Sequence, residues 1–299
     1  MMFCCMKHVS GTELPPDAIQ LTLDRMRALY RPRTADGHKG TYGTAVLIGG
    51  QKGSVGALIL AARAAGRAGA GRVLGVLPEW GYTAFQSAVP EAQCQTSGLD
   101  HILAIRRLPE SAAVGIGPGL GQQPQTAEAL YSFLLEQQRP IVVDADALNL
   151  LATYPDWLAL VPENSLLTPH PKEFERLFGE AGSRLAAIET ARTEARRYNI
   201  IIILKGHQTA ICVPSGTVYG YTEGTPALAT AGSGDVLTGI LTGLLAQGYA
   251  PEASAQLGVW LHGYTGRYCA DRIGDEATVA TDLARYAGIG FRYLRSHSL

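Results

Sequence analysis

From residue 44 onward the chain alternates between short apolar runs and longer stretches whose apolar residues recur at helical spacing. The runs fall at residues 44–48, 72–77, 113–116, 141–143, 165–168 and 200–204. Most are β-branched and continuously apolar, with no polar face, which describes strands covered on both sides. Between them, Leu58, Ile59, Ala62, Ala65 and Gly66 fall on one helix face. Such alternation implies right-handed crossovers and a three-layer α/β/α domain around a mostly parallel central sheet. Residues 209–213 and 217–221, parted by Pro214-Ser215-Gly216, read as a hairpin. Antiparallel strands are therefore expected at one edge. Residues 1–36 read as a peripheral extension with one helix, opened by Pro15-Pro16-Asp17 and lined by Leu21, Leu23, Met26 and Leu29. Arg31-Pro32-Arg33 stops it. No linker divides the rest, so residues 37–299 are expected to form one domain.

Composition narrows the function classes. Hydrophobic residues make up 46% and charged residues 17% of the 299 positions, enough apolar material for a buried core. The 35 glycines cluster without a fixed period, which points to turns near ligands. With 25 basic and 26 acidic residues and no basic stripe, nucleic acid is not expected as a partner. A phosphorylated ligand is compatible, because backbone amides bind phosphate without net charge. The five cysteines (Cys4, Cys5, Cys94, Cys212 and Cys269) are odd in number and lack a Cys-x-x-Cys pair. Reduced cytoplasmic thiols are expected, rather than disulfides or a zinc site. The apolar start at 1–6 is too short for a signal-peptide core, and no run reaches membrane-spanning length.

Ala231-Gly232-Ser233-Gly234-Asp235 leads into a helix whose apolar residues stand at 236, 237, 240, 241, 244 and 245, with Gly248 placed as a C-terminal cap. The first amides of a helix lack intrahelical partners, and glycines let an anion approach them closely. An aspartate there is stabilised as a carboxylate and could accept a proton from a substrate hydroxyl. The plainer alternative is that Ser233 or Asp235 merely caps the helix.

Other polar or glycine-rich clusters close the remaining runs. Gly115-Ile116-Gly117-Pro118-Gly119-Leu120-Gly121 is a binding loop or a tight strand–helix turn. Gly49-Gly50-Gln51-Lys52-Gly53-Ser54-Val55-Gly56-Ala57 lacks the ending of a P-loop but could line a pocket. Asp144 and Asp146 end another run, and Asp146 could cap the next helix. Thr168-Pro169-His170-Pro171-Lys172-Glu173 places a histidine, for substrate or simply on a surface loop, three residues from an acid that could hold a metal-bound water. Lys205, with Gly206, His207, Gln208 and Thr209, could meet nucleotide phosphates or be a solvated turn. Chemistry at nearly every strand end is the arrangement of an α/β enzyme.

In their order and combination these segments, with His38-Lys39-Gly40-Thr41-Tyr42-Gly43 and Pro226-Ala227-Leu228-Ala229-Thr230 ahead of Ala231, are specific. The chain resembles the ribokinase-like superfamily, and within it the ADP/ATP-dependent NAD(P)H-hydrate dehydratases, over roughly residues 24 to 295. That resemblance implies repair of hydrated nicotinamide cofactors. Asp235 would be the catalytic base, with Gly232, Ser233 and Gly234 forming an anion hole. Ala57, Gly119 and His170, with Asp235, would contact the hydrate. Lys205, Gly206, His207, Gln208, Thr209 and Gly234 would contact the adenine nucleotide. Glu173 matches the superfamily's acidic metal-site residue, so Mg2+ is expected. The resemblance favours ADP as co-substrate, leaves ATP open, and implies a homo-oligomer, a tetramer by analogy. Many bacterial relatives carry an epimerase domain ahead of this one, and the roughly 36 residues here leave no room for it. A small-molecule kinase of the same superfamily would share residues 231–235, and a non-catalytic nucleotide-binding regulator is a third reading. His38-Lys39-Gly40 and Pro169-His170-Pro171-Lys172-Glu173 favour the dehydratase, and the retained Asp235 an enzyme.

Overall fold

The computed structural model describes residues 13–296. Cys4, Cys5 and the apolar start therefore lie outside the described residues. The chain opens with β1 (Ile19–Gln20) and α1 (Leu23–Leu29). A first αβ run follows: β2 (Thr44–Ile48), α2 (Val55–Arg67), β3 (Arg72–Leu77), α3 (Tyr82–Ala88) and β4 (Gln93–Thr96). The next contains β5 (Ala113–Ile116), α4 (Pro124–Glu136), β6 (Ile141–Val143), α5 (Ala145–Thr153), β7 (Leu166–Leu167), α6 (Pro171–Phe178) and α7 (Arg184–Tyr198). Then come β8 (Ile201–Leu204), β9 (Thr209–Cys212) and β10 (Val218–Tyr221), and finally α8 (Ser233–Ala246), α9 (Pro251–Ile273), α10 (Ala280–Tyr286) and α11 (Ile289–Ser296).

One ten-stranded sheet runs in the order β1-β10-β9-β8-β7-β6-β5-β2-β3-β4. It is parallel except where β9 meets β8 and β10. Alternate residues of the central strands feed opposite cores. Val46, Ile48, Val114, Val143 and Ile202 pack on the α4, α5 and α7 side. Val142, Leu166, Ile201 and Ile203 pack on the α8 and α9 side. Ala45 and Leu47 meet α2 and Phe85 of α3. This two-sided burial is why the interiors of those runs carry no polar position and polar residues such as Thr44 and Arg72 stand only at their ends. The expected three-layer fold is present.

Two expectations need correction. The helix does not open at Pro15. Ala18 N donates to Pro15 O at 3.0 Å to close a turn, and the helix starts at Leu23, capped by the Thr22 hydroxyl. The intervening β1 pairs in parallel with Tyr219 and Gly220. It occupies the otherwise open edge of β10, so the hairpin is near that edge without ending the sheet. The strand β4 was not foreseen: Gln-Cys-Gln-Thr is a half-exposed edge sequence with no run of apolar residues.

The order reverses between β2 and β5, which lie side by side while their crossovers run in opposite directions. Ligands of such sheets bind beyond the carboxyl ends at this point. The loops there are stitched together, Gly50 N donating to Pro118 O at 3.0 Å and Gln51 N to Gly119 O at 2.7 Å. Over the sheet, α8 packs close to α2 because Gly239 and Gly243 face the backbone carbonyls of Ala61 and Ala65.

Candidate functional site

A cleft of about 700 Å³ opens where β6, β7 and β8 end against the start of α8 and the middle of α9. Asp144, His170, Glu173, Lys205, Asp235 and His262 supply its polar wall, and Tyr221, Leu228, Leu237 and Val259 an apolar one. Of the expected residues, His170, Glu173, Lys205, Gly206, His207, Thr209 and 232–235 meet here.

The turn before α8 is set by Gly232, whose φ of +89° suits only glycine without strain. Ser233 N donates to Thr230 O at 3.2 Å, and Val236 N to Gly232 O at 3.1 Å. Like the amide of Gly232 just ahead of the helix, those of Gly234 and Asp235 donate to nothing among the described residues. Those two amides, rather than that of Ser233, are open to an anion at the helix start. The Ser233 hydroxyl is likewise engaged, 3.1 Å from His262 Nε2, which also lies 3.0 Å from Ser233 O. Burial, reinforced by the charge of Lys205 and only partly opposed by the Ser233 bond, pushes the His262 pKa down to about 4. The ring is neutral at pH 7 and donates through Nε2 to the Ser233 oxygen.

Asp235 stands in the first turn of α8. Burial and the nearby Asp144, Asp146 and Glu173 charges raise its pKa to about 7, against the lowering effect of Lys205. A carboxyl poised there can exchange a proton near neutral pH. Lys205 Nζ lies 2.8 Å from Asp144 Oδ1 and 3.9 Å from Glu173 Oε2. It also approaches Gly234, where an added Cβ would stand 3.2 Å away. Burial disfavours its charge, but Asp144 and Glu173 outweigh this and raise its pKa. Burial likewise opposes ionisation of Asp144, yet Lys205 and the hydroxyl of Thr238, 2.7 Å from Oδ2, bring its pKa below the usual carboxylate value. The lysine is thus a fixed cation at the helix start, and not a solvated turn residue.

His170 caps α6 and forms a capping box with Glu173. Glu173 N donates to His170 Nδ1 at 3.3 Å, and His170 N to Glu173 Oε2 at 2.8 Å. The box aims both side chains into the cleft. Among the described residues, no three His, Cys, Asp or Glu side chains come together as a metal cage. One carboxylate with phosphate oxygens is the arrangement that suits Mg2+, and buried Glu173 fits that part.

Three expected residues lie outside this cleft. Gln208 turns away, its Oε1 accepting from Glu13 N at 3.0 Å. Ala57 and Gly119 belong to the β2/β5 crevice, where a Cβ on Gly119 would stand 3.3 Å from that of Ala57 and 2.5 Å from Ser54 O. Asp146 borders both regions: it accepts from Gly121 N at 2.9 Å, and its charge reaches Asp235. It does not cap α5. Two central groups were missed. Asp144 was seen as an acid at a strand end, without its partner. His262 lies mid-way along α9, with no local signal beyond a histidine in a largely buried helix.

A family model described as NAD(P)H-hydrate dehydratase matches residues 45–287. A bifunctional NAD(P)H-hydrate repair enzyme of Moorella thermoacetica is 41% identical over 278 residues, covering 88% of this chain and 52% of that protein. The chain thus spans about half the length of such bifunctional relatives. An ADP-dependent (S)-NAD(P)H-hydrate dehydratase of Neisseria meningitidis is 37% identical over 285 residues, 92% of each chain. Among solved structures, the ADP/ATP-dependent NAD(P)H-hydrate dehydratase of Bacillus subtilis, co-crystallised with ATP and Mg2+, matches with a TM-score of 0.80 at 30% identity, covering 94% of this chain and all of that one.

Proposed function

The chain belongs to the NAD(P)H-hydrate dehydratase family, and on that premise we propose that it restores NADH and NADPH from the S-epimers of their hydrates at the expense of ADP. The observation that carries this reading is the grouping of Asp235, two open helix-start amides and the Lys205 cation in one cleft. Asp235 takes the proton of the ring hydroxyl, and that oxygen attacks the terminal phosphorus of ADP. The bond to the bridging oxygen breaks and AMP leaves. The phosphate ester then departs as inorganic phosphate while the neighbouring ring carbon loses a proton to solvent, which restores the double bond. Hydroxide is a poor leaving group and phosphate a good one, so the first step makes the second easy.

The amides of Gly234 and Asp235, with Lys205, hold the phosphate that is transferred. Such a reaction needs position and charge stabilisation more than covalent help. Gly206, His207 and Thr209 face the nucleoside of ADP, while His170, Ala57 and Gly119 face the hydrate. Mg2+ would be held by phosphate oxygens and Glu173, directly or through water, and would offset phosphate charge. ATP is the alternative phosphoryl donor. A homo-oligomer, tetrameric by resemblance, and a cytoplasmic location complete the reading. The free thiols of Cys94, Cys212 and Cys269 suit that compartment.

The test is to incubate the protein with S-NADH hydrate, Mg2+ and either ADP or ATP. Recovery of the NADH absorbance band with release of one phosphate per NADH supports the reading. Consumption of nucleotide that stops at a stable phosphate ester would make the protein a kinase instead.

A further inference from the structure

Four of the most exposed large apolar side chains stand together at the carboxyl edge of the sheet. Trp80, Tyr82, Leu99 and Leu103 are 46%, 47%, 67% and 51% exposed, and all lie in the segments that follow β3 and β4. The segments are tied to each other, Glu79 N donating to Gly98 O at 2.9 Å and Trp80 N to Leu99 O at 3.0 Å. The indole therefore stands on a braced backbone. The shelf also abuts the loop after β2. Lys52 N donates to Asp100 O at 2.8 Å, and a Cβ on Gly81 would meet Val55 Cγ2 at 2.9 Å. Ser54 of that loop and Ala57 in the first turn of α2 lie against Gly119.

The direction of the substrate follows from this arrangement and rests on the function proposed above. If the reacting ring sits at Asp235 and the nucleoside of ADP lies toward Lys205–Thr209, the second half of the hydrated dinucleotide must run the other way. Its path crosses the ends of β5 and β2, past Gly119 and Ala57, and reaches β3. From β6 to β3 is three strand spacings, roughly 14 Å. Two riboses and a pyrophosphate separate the rings of a dinucleotide by a comparable reach. We propose that Trp80, with Tyr82 beside it, is the adenine platform for the hydrated NADH or NADPH. Exposed aromatic faces stack any nucleobase without needing a matched hydrogen-bond pattern.

The test compares S-NADH hydrate with the hydrate of reduced nicotinamide mononucleotide, which lacks the adenosine half. Trp80→Ala should raise KM for NADH hydrate about fivefold or more, the lower end of base–aromatic stacking. Trp80→Phe should recover most of that loss. The truncated hydrate should not distinguish Trp80→Ala from wild type. An equal rise in KM for both hydrates, or no rise for NADH hydrate, overturns the platform. So does a change in solution mass of Trp80→Ala by light scattering, which would mark the shelf as a contact between copies of the chain. Absence of turnover by the wild-type chain overturns the underlying activity, and the platform with it.

Discussion

The ammonium of Lys205 and the buried carboxylate of Asp144 meet at 2.8 Å across β7, one at the end of β8 and the other at the end of β6. Asp144 is 1% exposed, so removing its partner leaves a charge that water cannot reach. Breaking a buried pair from one side costs about 3–5 kcal/mol, most of it the stranded charge. Lys205→Met is therefore expected to lower stability by an amount near the bottom of that range, since the lysine itself retains some exposure. Urea midpoints at an unchanged m-value measure it. Replacing both partners, as Lys205→Met with Asp144→Leu, should recover much of the lost stability without restoring activity.

Asp235 makes two pH predictions of fixed sign. As a base it works only when deprotonated, so kcat/KM should fall below pH about 7 and level off above it. Lys205 lowers this pKa, so any residual activity of Lys205→Met should have its midpoint displaced upward. Stability runs the opposite way. Between the ordinary value of 3.8 and about 7, the folded chain keeps a proton that the unfolded chain has lost. The contribution of Asp235 to stability therefore declines as pH rises through that window, by an amount on the order of a few kcal/mol. Asp235→Asn should show no turnover, retained ADP binding, and a melting temperature above wild type at pH 8. The difference should close toward pH 4.

Much of this was legible in the chain, and the rest was hidden for physical reasons. The runs at 44–48 and 72–77 match their strands to the residue, because every position after Thr44 and Arg72 is buried and therefore free of polar side chains. β4 escaped because an edge strand of Gln, Cys and Thr has no such constraint. Gly232 to Asp235 announced a helix start, but local sequence could not say which amides stay open. That depends on Thr230 O, which takes the Ser233 amide. Asp144 and Asp146 are two positions apart and differ entirely in role, because only Asp144 points toward a lysine 61 positions later. His262 reaches Ser233 solely through the packing of α9 on α8.

His262 is expected to act as a positioning residue for that helix start. Its pKa of about 4 means that its ring resonances should stay constant by NMR from pH 8 to about 5. Its contribution to stability is full above the ordinary value of 6.5 and is lost as pH falls toward 4. This opposes Asp235 across much of the same window, so Asp235→Asn should unmask a decline on acidification. His262→Phe leaves the carbonyl oxygen of Ser233 without its donor and the Ser233 hydroxyl without its imidazole neighbour. Displacing the Gly234 and Asp235 amides by a fraction of an ångström should reduce kcat, by up to about a hundredfold for a 1 Å error. A loss confined to thermal stability, with kcat intact, would assign His262 a purely structural role.

Two glycines of α8, Gly234 and Gly239, should separate function from folding. An added Cβ at Gly239 would fall 2.1 Å from the backbone oxygen of Ala61. That carbonyl belongs to α2 and cannot swing aside, so Gly239→Ala must push α8 off α2. Overpacking of this kind costs about 1–3 kcal/mol, or more where the backbone must move. At Gly234 the nearest atom is Lys205 Nζ at 3.2 Å, the far end of a flexible side chain, and the backbone is not in the left-handed region. Gly234→Ala should fold with nearly wild-type stability. Its methyl, however, occupies the space between the open amides and the Lys205 cation, where the terminal phosphate of the nucleotide has to sit. KM for ADP should rise and kcat/KM fall by roughly tenfold or more, the scale of a lost charge-stabilising contact. Paired calorimetry and kinetics on the two variants check the separation. Equal destabilisation by both, with nucleotide kinetics unchanged in Gly234→Ala, would remove the helix start as the phosphate site.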